Sequence, residues 1–446
     1  MISKISISFK SINRLAIPAT ISGIAEPLLS ITDTAIVGNI PVDGVESLAA
    51  AGIVGSFLSM LIWVLGQTRS AISAIISQYL GANKLHEVNT LPAQAIFLNL
   101  FLSFIVLGST IFFIEEIFQL FEASGKILER CVAYYRIRVW GFPLTLFTFA
   151  LFGIFRGLQN TFYPMLVAMI GAGLNIILDF ILVYGIEDFI PALYLEGAAW
   201  ASLLSQIVMA VLAFILLRAK TTIPLTLKLP INKELKSLIF MSLNLFVRTI
   251  ALNTALLLAV REATSLGTKY IGAHVIAVNI WLFAAFFIDG YSAAGNSMGG
   301  RLLGAKDYNG LWTLAKKING YGIIVSLVLM VLGFVFYEPI GRLFSKETAV
   351  LNVFYGIFYI VLLGLPMNSI AFLFDGMFKG MGKMKFLRNV LLCATFLGFV
   401  PTLYLGLHMG WGIHAIWLAF IIWMLFRSVP LAWKFRSTFK PLLQKV

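Results

Sequence analysis

The feature that most constrains this chain is a series of long apolar segments separated by short polar ones. The runs FLNLFLSFIVLGSTIFFI (97–114) and ASLLSQIVMAVLAFILL (201–217) are about as long as the ~20 residues that a helix needs to cross a bilayer. Charged residues make up 12% of the chain and the mean hydropathy is +0.93, whereas soluble domains are about a quarter charged. The sequence therefore predicts an all-α polytopic membrane protein.

Twelve such segments can be counted, and the prediction is twelve transmembrane helices in two pseudo-symmetric six-helix lobes. The predicted helices are 12–38, 46–80, 92–114, 127–156, 163–184, 196–218, 234–264, 270–302, 313–336, 349–378, 386–407 and 411–434. The polar segment RAKTTIPLTLKLPINK (218–233) divides them. We expect an N-lobe at 1–217, a cytoplasmic linker at 218–233 and a C-lobe at 234–446.

The two halves repeat each other with an offset of 223 residues. LGANK (80–84) matches LGAKD (303–307), and FPLTLFTFALFGIFRG (142–157) matches LPMNSIAFLFDGMFKG (365–380). Six helices return the chain to the same side of the membrane, so the halves have the same orientation and are related by an axis along the membrane normal. This arrangement is typical of transporters that alternate access by rocking one half against the other.

The net charge of +13 follows from topology, and no nucleic-acid partner is predicted. Basic residues collect in the loops on one side and acidic residues in the loops on the other, so the positive-inside rule places both termini in the cytoplasm. The sequence motifs HExxH of metalloproteases and GxxxxGK[ST] of ATP-driven proteins are absent. We therefore predict no enzyme activity and no cofactor, and expect an ion gradient to drive any active transport.

Charged residues within the predicted helices are candidates for function, because each costs about 2.5–3.5 kcal/mol at mid-bilayer on insertion scales. Arg136, Arg138 and Arg261 lie near helix ends, where long side chains reach polar surroundings, and carry less weight. The deep candidates are Glu26, Asp33, Arg69, Asp179, Arg248, Asp289 and Asp375.

Two pairs of polar residues have helical spacing. Glu26 and Asp33 are seven residues apart and share one face of the first helix, and Asn175 and Asp179 are four apart on the fifth. A buried acidic site of this kind can bind a proton, a sodium ion or a cationic substrate and exchange one for another. The alternatives are structural hydrogen bonds or salt bridges for Asp33 and Asp179, and a Glu26–Arg69 pair.

Three further positions suggest breaks in helices. Pro18 removes a backbone donor inside the first helix, frees the carbonyl near Arg14 and predicts a kink or hinge; a static kink is the alternative. Asp289 and Asp375 each precede a glycine, in IDGYSAAG and FDGMFKG. They mark either a polar cavity or local helix irregularities.

Several sequence patterns occur in a fixed order along the chain: P-x7-EPLLSITDTAIVG (18–38), PLTLFTFALFGIFRGLQNT (143–161), NIILDFILVYG (175–185) with EGAAWAS (196–202), IDGYSAAG (288–295), and FDGMFKG (374–380) followed by LRN (387–389). In these patterns the chain resembles the multidrug and toxic compound extrusion (MATE) family, and within it the DinF-like branch. Each pattern is weak alone, but their order along the 223-residue repeat covers nearly the whole chain.

The resemblance implies a monomeric antiporter of the bacterial inner membrane that exports a cationic or amphipathic organic compound in exchange for protons or sodium, with lipids around it. Asp33 resembles the family's first-helix acid, Asn175 and Asp179 its fifth-helix polar pair, and Pro18 its bending proline. If sodium is the ion, Asp33, Asn175 and Asp179 are its expected ligands. Asn296 stands where the DinF-like branch tends to have an acid, so coupling is expected in the N-lobe, with Glu26, Asp289 and Asp375 as further ion or substrate contacts.

The nearest alternative is a two-lobed flippase or exporter of a lipid-linked saccharide or another amphipathic lipid. Such a protein should have a strongly basic cavity. Arg69 and Arg248 are the only deep arginines in this interpretation, against five acids, which favours cationic cargo. A channel would need a filter motif and an intramembrane enzyme paired catalytic residues, and neither pattern is present.

Overall fold

The computed structural model describes residues 6–41, 43–186 and 189–443, without the side chains of residues 26–31. This part of the chain is almost wholly helical, and its sole β-contact is an isolated bridge between Ile186 and Ile190. The helices are α1 (Phe9–Gly38), α2 (Gly44–Leu65), α3 (Thr68–Gly81), α4 (Leu91–Phe112), α5 (Ile114–Leu120), α6 (Gly125–Arg138), α7 (Gly141–Gly157), α8 (Phe162–Tyr184), α9 (Tyr194–Lys220), α10 (Lys233–Ser265), α11 (Thr268–Gly304), α12 (Tyr308–Val335), α13 (Tyr337–Phe344), α14 (Thr348–Gly380), α15 (Met384–Cys393), α16 (Val400–His408) and α17 (Ile413–Phe439).

The number of membrane-crossing segments agrees with the prediction. Within the described residues, ten helical segments are long and apolar enough to span a bilayer, and the bent pair α6–α7 makes eleven. Helix α1 has 30 residues, which is about 45 Å at the rise of an α-helix and longer than the ~30 Å hydrocarbon core. With α1 the count reaches twelve.

The 223-residue repeat of the sequence is also a repeat of structure. Helices α10, α11, α12, α14 and α17 begin within a few residues of 223 positions after α1, α2, the turn before α4, α6 and α9, and the short helices α5 and α13 also correspond. The sequence did not predict α5 or α13, because eight or fewer residues are too few for a clear helical period.

Three predicted helices are interrupted. The range 46–80 divides at Gly66, where a Cβ would lie 2.8 Å from the ring of Phe149, and 386–407 contains a π-helical segment, Ala394–Phe399. The range 127–156 is two helices that differ in direction by 45°. At this bend the backbone N–H groups of Trp140 and Phe142 donate to the carbonyl oxygens three residues earlier instead of four. Pro143 has no N–H group to donate.

The described residues form two compact units. The N-terminal unit contains Ile21–Ile76 and Lys84–Ile239, and the C-terminal unit contains Met1–Thr20, Ser77–Asn83 and Phe240–Val446. Helix α1 therefore contributes to both, and passes from one to the other between Thr20 and Ile21. The lobe boundaries at 217 and 234 stay predictions.

Each unit has its own apolar core. In the N-terminal unit the rings of Phe57, Phe118 and Tyr135 pack together at centroid distances of 5.4–6.0 Å. In the C-terminal unit the helices α11 and α14 pack backbone to backbone, because a Cβ at Gly376 or Gly380 would overlap the neighbouring helix. Small residues allow this close approach in membrane proteins, and here they fix the position of Asp375, just before Gly376, and of Lys379, just before Gly380, on α14.

Candidate functional site

The predicted acids of the N-terminal unit come together in one place, the acidic site, formed by Asp33 of α1 with Asn175 and Asp179 of α8. Asp179 is fully buried and Asp33 is half-buried. The amide of Asn175 donates a hydrogen bond from Nδ2 to Asp179 Oδ2 at 3.2 Å. The four-residue spacing places both side chains on the face of α8 that meets α1.

The carboxyl groups of Asp33 and Asp179 are close enough to interact with each other. Two carboxylates have only acceptors, so a hydrogen bond between them would require a proton on one of them. One oxygen of each acid, Asp33 Oδ1 and Asp179 Oδ1, is buried without a hydrogen-bond partner among the described residues. The acidic site can therefore accept protons, hard cations or N–H donors.

Arg138, at the end of α6, lies close enough to Asp33 and Asp179 to interact electrostatically with both. Its guanidinium also lies 5.9 Å from the ring centroid of Tyr134. The sequence interpretation gave Arg138 little weight because of its place at a helix end. Arg138 is the last residue of α6, but its neighbours are the two acids. No local pattern in the sequence predicts these neighbours.

The charges of the acidic site nearly balance. Two ionised carboxylates and one guanidinium give a net charge of −1, and a single shared proton makes the group neutral. Loss or gain of one proton is therefore the smallest step that changes its charge. No group of three or more His, Cys, Asp or Glu side chains suited to a metal ion occurs in the part of the chain that the structure describes.

Three other predicted residues of the first helices are placed as follows. The side chain of Glu26 lies outside the described residues, and so does its predicted pairing with Arg69. The guanidinium of Arg69 lies 4.7 Å from the ring centroid of Phe149. Pro18 is half-buried, and α1 is helical on both sides of it.

The C-terminal unit contains a second buried group of charges, the basic cluster, formed by Arg248, Asp375, Lys379 and Arg427. Asp375 Oδ1 accepts a bond from Arg248 Nη2 at 2.7 Å, and Asp375 Oδ2 lies 2.9 Å from Lys379 Nζ. The idea that Asp289 and Asp375 mark irregular helix is wrong, because α11 and α14 are helical throughout. The glycine after Asp375 serves close packing instead.

Arg427 of α17 completes the basic cluster, and sequence reasoning missed it. It is 2% exposed, and its guanidinium carbon lies 5.1 Å from the ring centroid of Phe372 and 5.0 Å from that of Trp423. Arg427 is near enough to Arg248 and Asp375 to interact with both. Arg427 lies well inside the predicted helix 411–434, and this position alone could have identified it as a deep charged residue.

The remaining C-lobe candidates contribute less. Asp289 lies at an exposed position of α11, whereas Asn296, two turns later on the same helix, is buried. The count of deep arginines is also corrected, since Arg138 and Arg427 join Arg69 and Arg248. The two units thus differ in sign: the acidic site has two acids and one base, and the basic cluster three bases and one acid.

A family model named MatE matches residues 18–181 and 245–404, so the chain belongs to the MatE family, whose members are membrane transporters and not enzymes. Among curated relatives it is 28% identical to DNA damage-inducible protein F of Escherichia coli (strain K12), over 95% of this chain and 91% of that protein. It is also 28% identical to Protein DETOXIFICATION 43 of Arabidopsis thaliana, over 73% of this chain but only 62% of that protein.

A solved structure confirms the fold. The outward-facing conformation of a multidrug resistance MATE family transporter of the MOP superfamily superposes with a TM-score of 0.87, over 97% of this chain and 96% of the other, at 22% identity. The predicted fold class, twelve helices in two lobes, is that of these transporters. The family model confirms the resemblance to MATE proteins, and the likeness to DNA damage-inducible protein F agrees with the DinF-like branch.

Proposed function

We propose that this protein is a secondary active antiporter that exports cationic or amphipathic organic compounds in exchange for protons or sodium. The observation that carries the proposal is the pair of the half-buried Asp33 and the buried Asp179, in which Asp179 accepts a hydrogen bond from Asn175 and both acids lie close to Arg138. Acids inside a membrane protein are expensive to bury and mark ion and substrate pathways. With Arg138 beside the two acids, gain or loss of one proton changes the net charge of the acidic site between 0 and −1.

Exchange follows from competition for the same charge. When the acidic site loses its proton, a net charge of −1 stays buried, and a cationic compound or a sodium ion can replace the proton. Cargo and ion cannot both neutralise a single charge, so binding of one favours release of the other. The ion changes the equilibrium between outward-open and inward-open states only if it binds them unequally.

Helix α1 is the element through which this site would move. Pro18 lies in the part of α1 that belongs to the C-terminal unit, and Asp33 lies in the part that belongs to the N-terminal unit. Pro18 cannot donate to the carbonyl of Arg14, so bending there costs no backbone hydrogen bond. We propose that a bend at Pro18 changes the direction of the segment that carries Asp33.

The names of relatives agree with drug export, since one is called a detoxification protein and another a multidrug resistance transporter. They give no support to the lipid flippase. We further propose that the protein is a monomer of the bacterial inner membrane with both termini in the cytoplasm. The multi-pass fold and the likeness to an Escherichia coli protein support this location.

The test is efflux of a fluorescent organic cation from proteoliposomes, with a pH gradient and a sodium gradient imposed separately. Wild type, Asp33→Asn and a matched control, Glu129→Gln, an exposed acid of the same unit, are compared. We expect one gradient to drive efflux in wild type and control, and neither to drive it in Asp33→Asn. Efflux that persists in Asp33→Asn under the same gradient would contradict the proposal.

A further inference from the structure

The basic cluster is a buried group with more positive than negative charge. Arg248 and Asp375 are 5% and 4% exposed, and the Lys379 side chain is 14% exposed. Three cationic side chains face a single carboxylate among the described residues. The coupling proposed for the acidic site does not use this group, and positive charge in a membrane interior is as costly as negative charge.

The single carboxylate is already used. One oxygen of Asp375 pairs with Arg248 and the other with Lys379, and neither accepts a hydrogen bond from the guanidinium of Arg427. The contact of Arg427 Nη1 is a weak one, to Met424 Sδ at 3.4 Å. Within the described residues, Arg427 Nη2 and Arg248 Nε are buried N–H groups without an acceptor.

The aromatic neighbours do not remove this deficit. Phe372 and Trp423 stabilise the guanidinium carbon through their ring faces, but a ring face does not accept as many N–H bonds as a guanidinium offers. A buried cation without a hydrogen-bonded counter-charge is strongly unfavourable. Cationic donors and an apolar wall therefore lie at the same place in this unit.

We propose that the basic cluster binds the carboxylate of an amphipathic organic anion, with Arg427 as its main contact and Arg248 Nε as a second donor. A guanidinium presents paired N–H groups whose geometry matches a carboxylate. The rings of Phe372 and Trp423 provide an apolar surface beside the charge, which suits a ligand with an apolar body. Asp375 lowers the net positive charge of the basic cluster, so the cluster should bind small inorganic anions less tightly than a carboxylate with an apolar body.

This inference adds an anionic class of ligand to the proposed function, and rests on it only in taking the ligand to be cargo. Binding itself can be measured in detergent without any gradient. Failure of gradient-driven efflux in the acidic-site experiment therefore leaves anion binding untouched, and the reverse also holds.

The probe is 2-naphthoate, whose fluorescence allows equilibrium dialysis against the purified full-length chain in a neutral detergent. Its matched cation, 2-naphthylmethylammonium, has the same ring system with the opposite charge. We expect wild type to bind the anion at least about tenfold more tightly than Arg427→Met does. Arg427→Lys, which retains the charge without the planar fork, should fall between them.

A control variant and a stability measurement complete the design. Arg388→Met removes an exposed guanidinium that bonds to the adjacent Asn389, and its affinity for 2-naphthoate should equal that of wild type. Arg427→Met should unfold at the same temperature as wild type or higher, because it removes an uncompensated buried charge.

Three results would overturn the proposal: no binding of 2-naphthoate by wild type, equal binding of the anion and its matched cation, or unchanged affinity in Arg427→Met. Should that variant not fold, Arg427→Lys decides, since unchanged affinity there also overturns it and weaker affinity supports it.

Discussion

The two halves of this protein share a scaffold but differ in most of their buried charges. Their helices correspond at an offset of about 223 residues, yet the positions equivalent to Asp33, Asp179 and Arg138 hold Leu256, Thr402 and Val361. In the other direction, the positions equivalent to Arg248, Asp375 and Arg427 hold Ala25, Phe152 and Leu204, and only Lys379 has a basic equivalent, Arg156. Each unit therefore has its own set of buried charges on the same fold, which indicates separate tasks.

The difference is also one of compensation. In the acidic site a mobile proton is enough to neutralise the group, so its charge can change at little cost. In the basic cluster the carboxylate of Asp375 is fixed between two cations, and a third cation is left over. We therefore expect the acidic site to govern transport and Asp375 to govern stability.

The largest effect on stability is expected from Asp375→Asn. This change leaves buried cations without their counter-charge, and breaking a buried ion pair from one side costs about 3–5 kcal/mol. The free energy of unfolding in detergent measures the loss. The added change Arg427→Met should recover part of it, because one cation fewer remains. If Asp375→Asn were as stable as wild type, the expectation that Asp375 governs stability would be contradicted.

The matching change in the acidic site, Asp179→Asn, should have the opposite profile. The amide can donate a hydrogen bond to Asp33, so the free energy of unfolding should change by no more than about 1 kcal/mol. Gradient-driven efflux should be lost, because the pair can no longer exchange a proton. Large destabilisation with efflux retained would assign Asp179 a structural role instead.

A smaller effect is expected from Arg138→Gln. Without this guanidinium the balance of two acids and one base changes by one charge, and we expect efflux to fall by about tenfold, or ~1.4 kcal/mol. Arg136→Gln is the matched control, because Arg136 is exposed two residues away. Equal efflux in Arg138→Gln and Arg136→Gln would show that Arg138 has no role in the acidic site.

Asn175→Ala should reduce efflux less than Asp179→Asn or Arg138→Gln does. It removes one hydrogen bond to Asp179, typically worth about 1 kcal/mol, so efflux at low cargo concentration should fall by a few fold. Dose–response curves of efflux measure this change. If the loss were as complete as in Asp33→Asn, the amide would be an essential ion ligand, as expected for sodium.

The smallest effect concerns a loop. Asp43 accepts a hydrogen bond from Arg130 at 2.7 Å and lies 3.5 Å from Lys126, and these partners hold the pKa of Asp43 below its usual value of 3.8. Because the pKa of Asp43 is lower in the folded state than in the unfolded state, the stabilisation is fully present above the unfolded-state pKa. It is lost as the pH falls through the folded-state pKa. The difference in unfolding temperature between wild type and Asp43→Asn should therefore be slight at neutral pH and vanish in acid. A difference that grew in acid would contradict this.

Much of this structure is predictable from the sequence. Apolar length alone predicts the helices, and the 223-residue repeat predicts their duplication. The contact between Asn175 and Asp179 follows from spacing within one helix. The position of Asp33 beside Asp179 does not, because no local pattern decides which faces of two distant helices meet.

The errors have a common physical cause. Lys379 was readable as the partner of Asp375 four residues earlier, but it lies one residue beyond the predicted helix 349–378. Arg138 was given less weight because a long side chain near a helix end usually reaches polar surroundings. Arg427, well inside the predicted helix 411–434, was not considered. The groups that surround each of these side chains are decided by tertiary packing.

The most direct test of the central claim is proton release from purified wild type and Asp33→Asn on addition of a saturating organic cation, measured with a pH indicator in weakly buffered detergent solution. If the pair Asp33–Asp179 exchanges its proton for cargo, wild type releases about one proton per protein molecule and Asp33→Asn releases none. Cation binding by wild type without proton release, or equal release by both proteins, would contradict proton exchange at this pair.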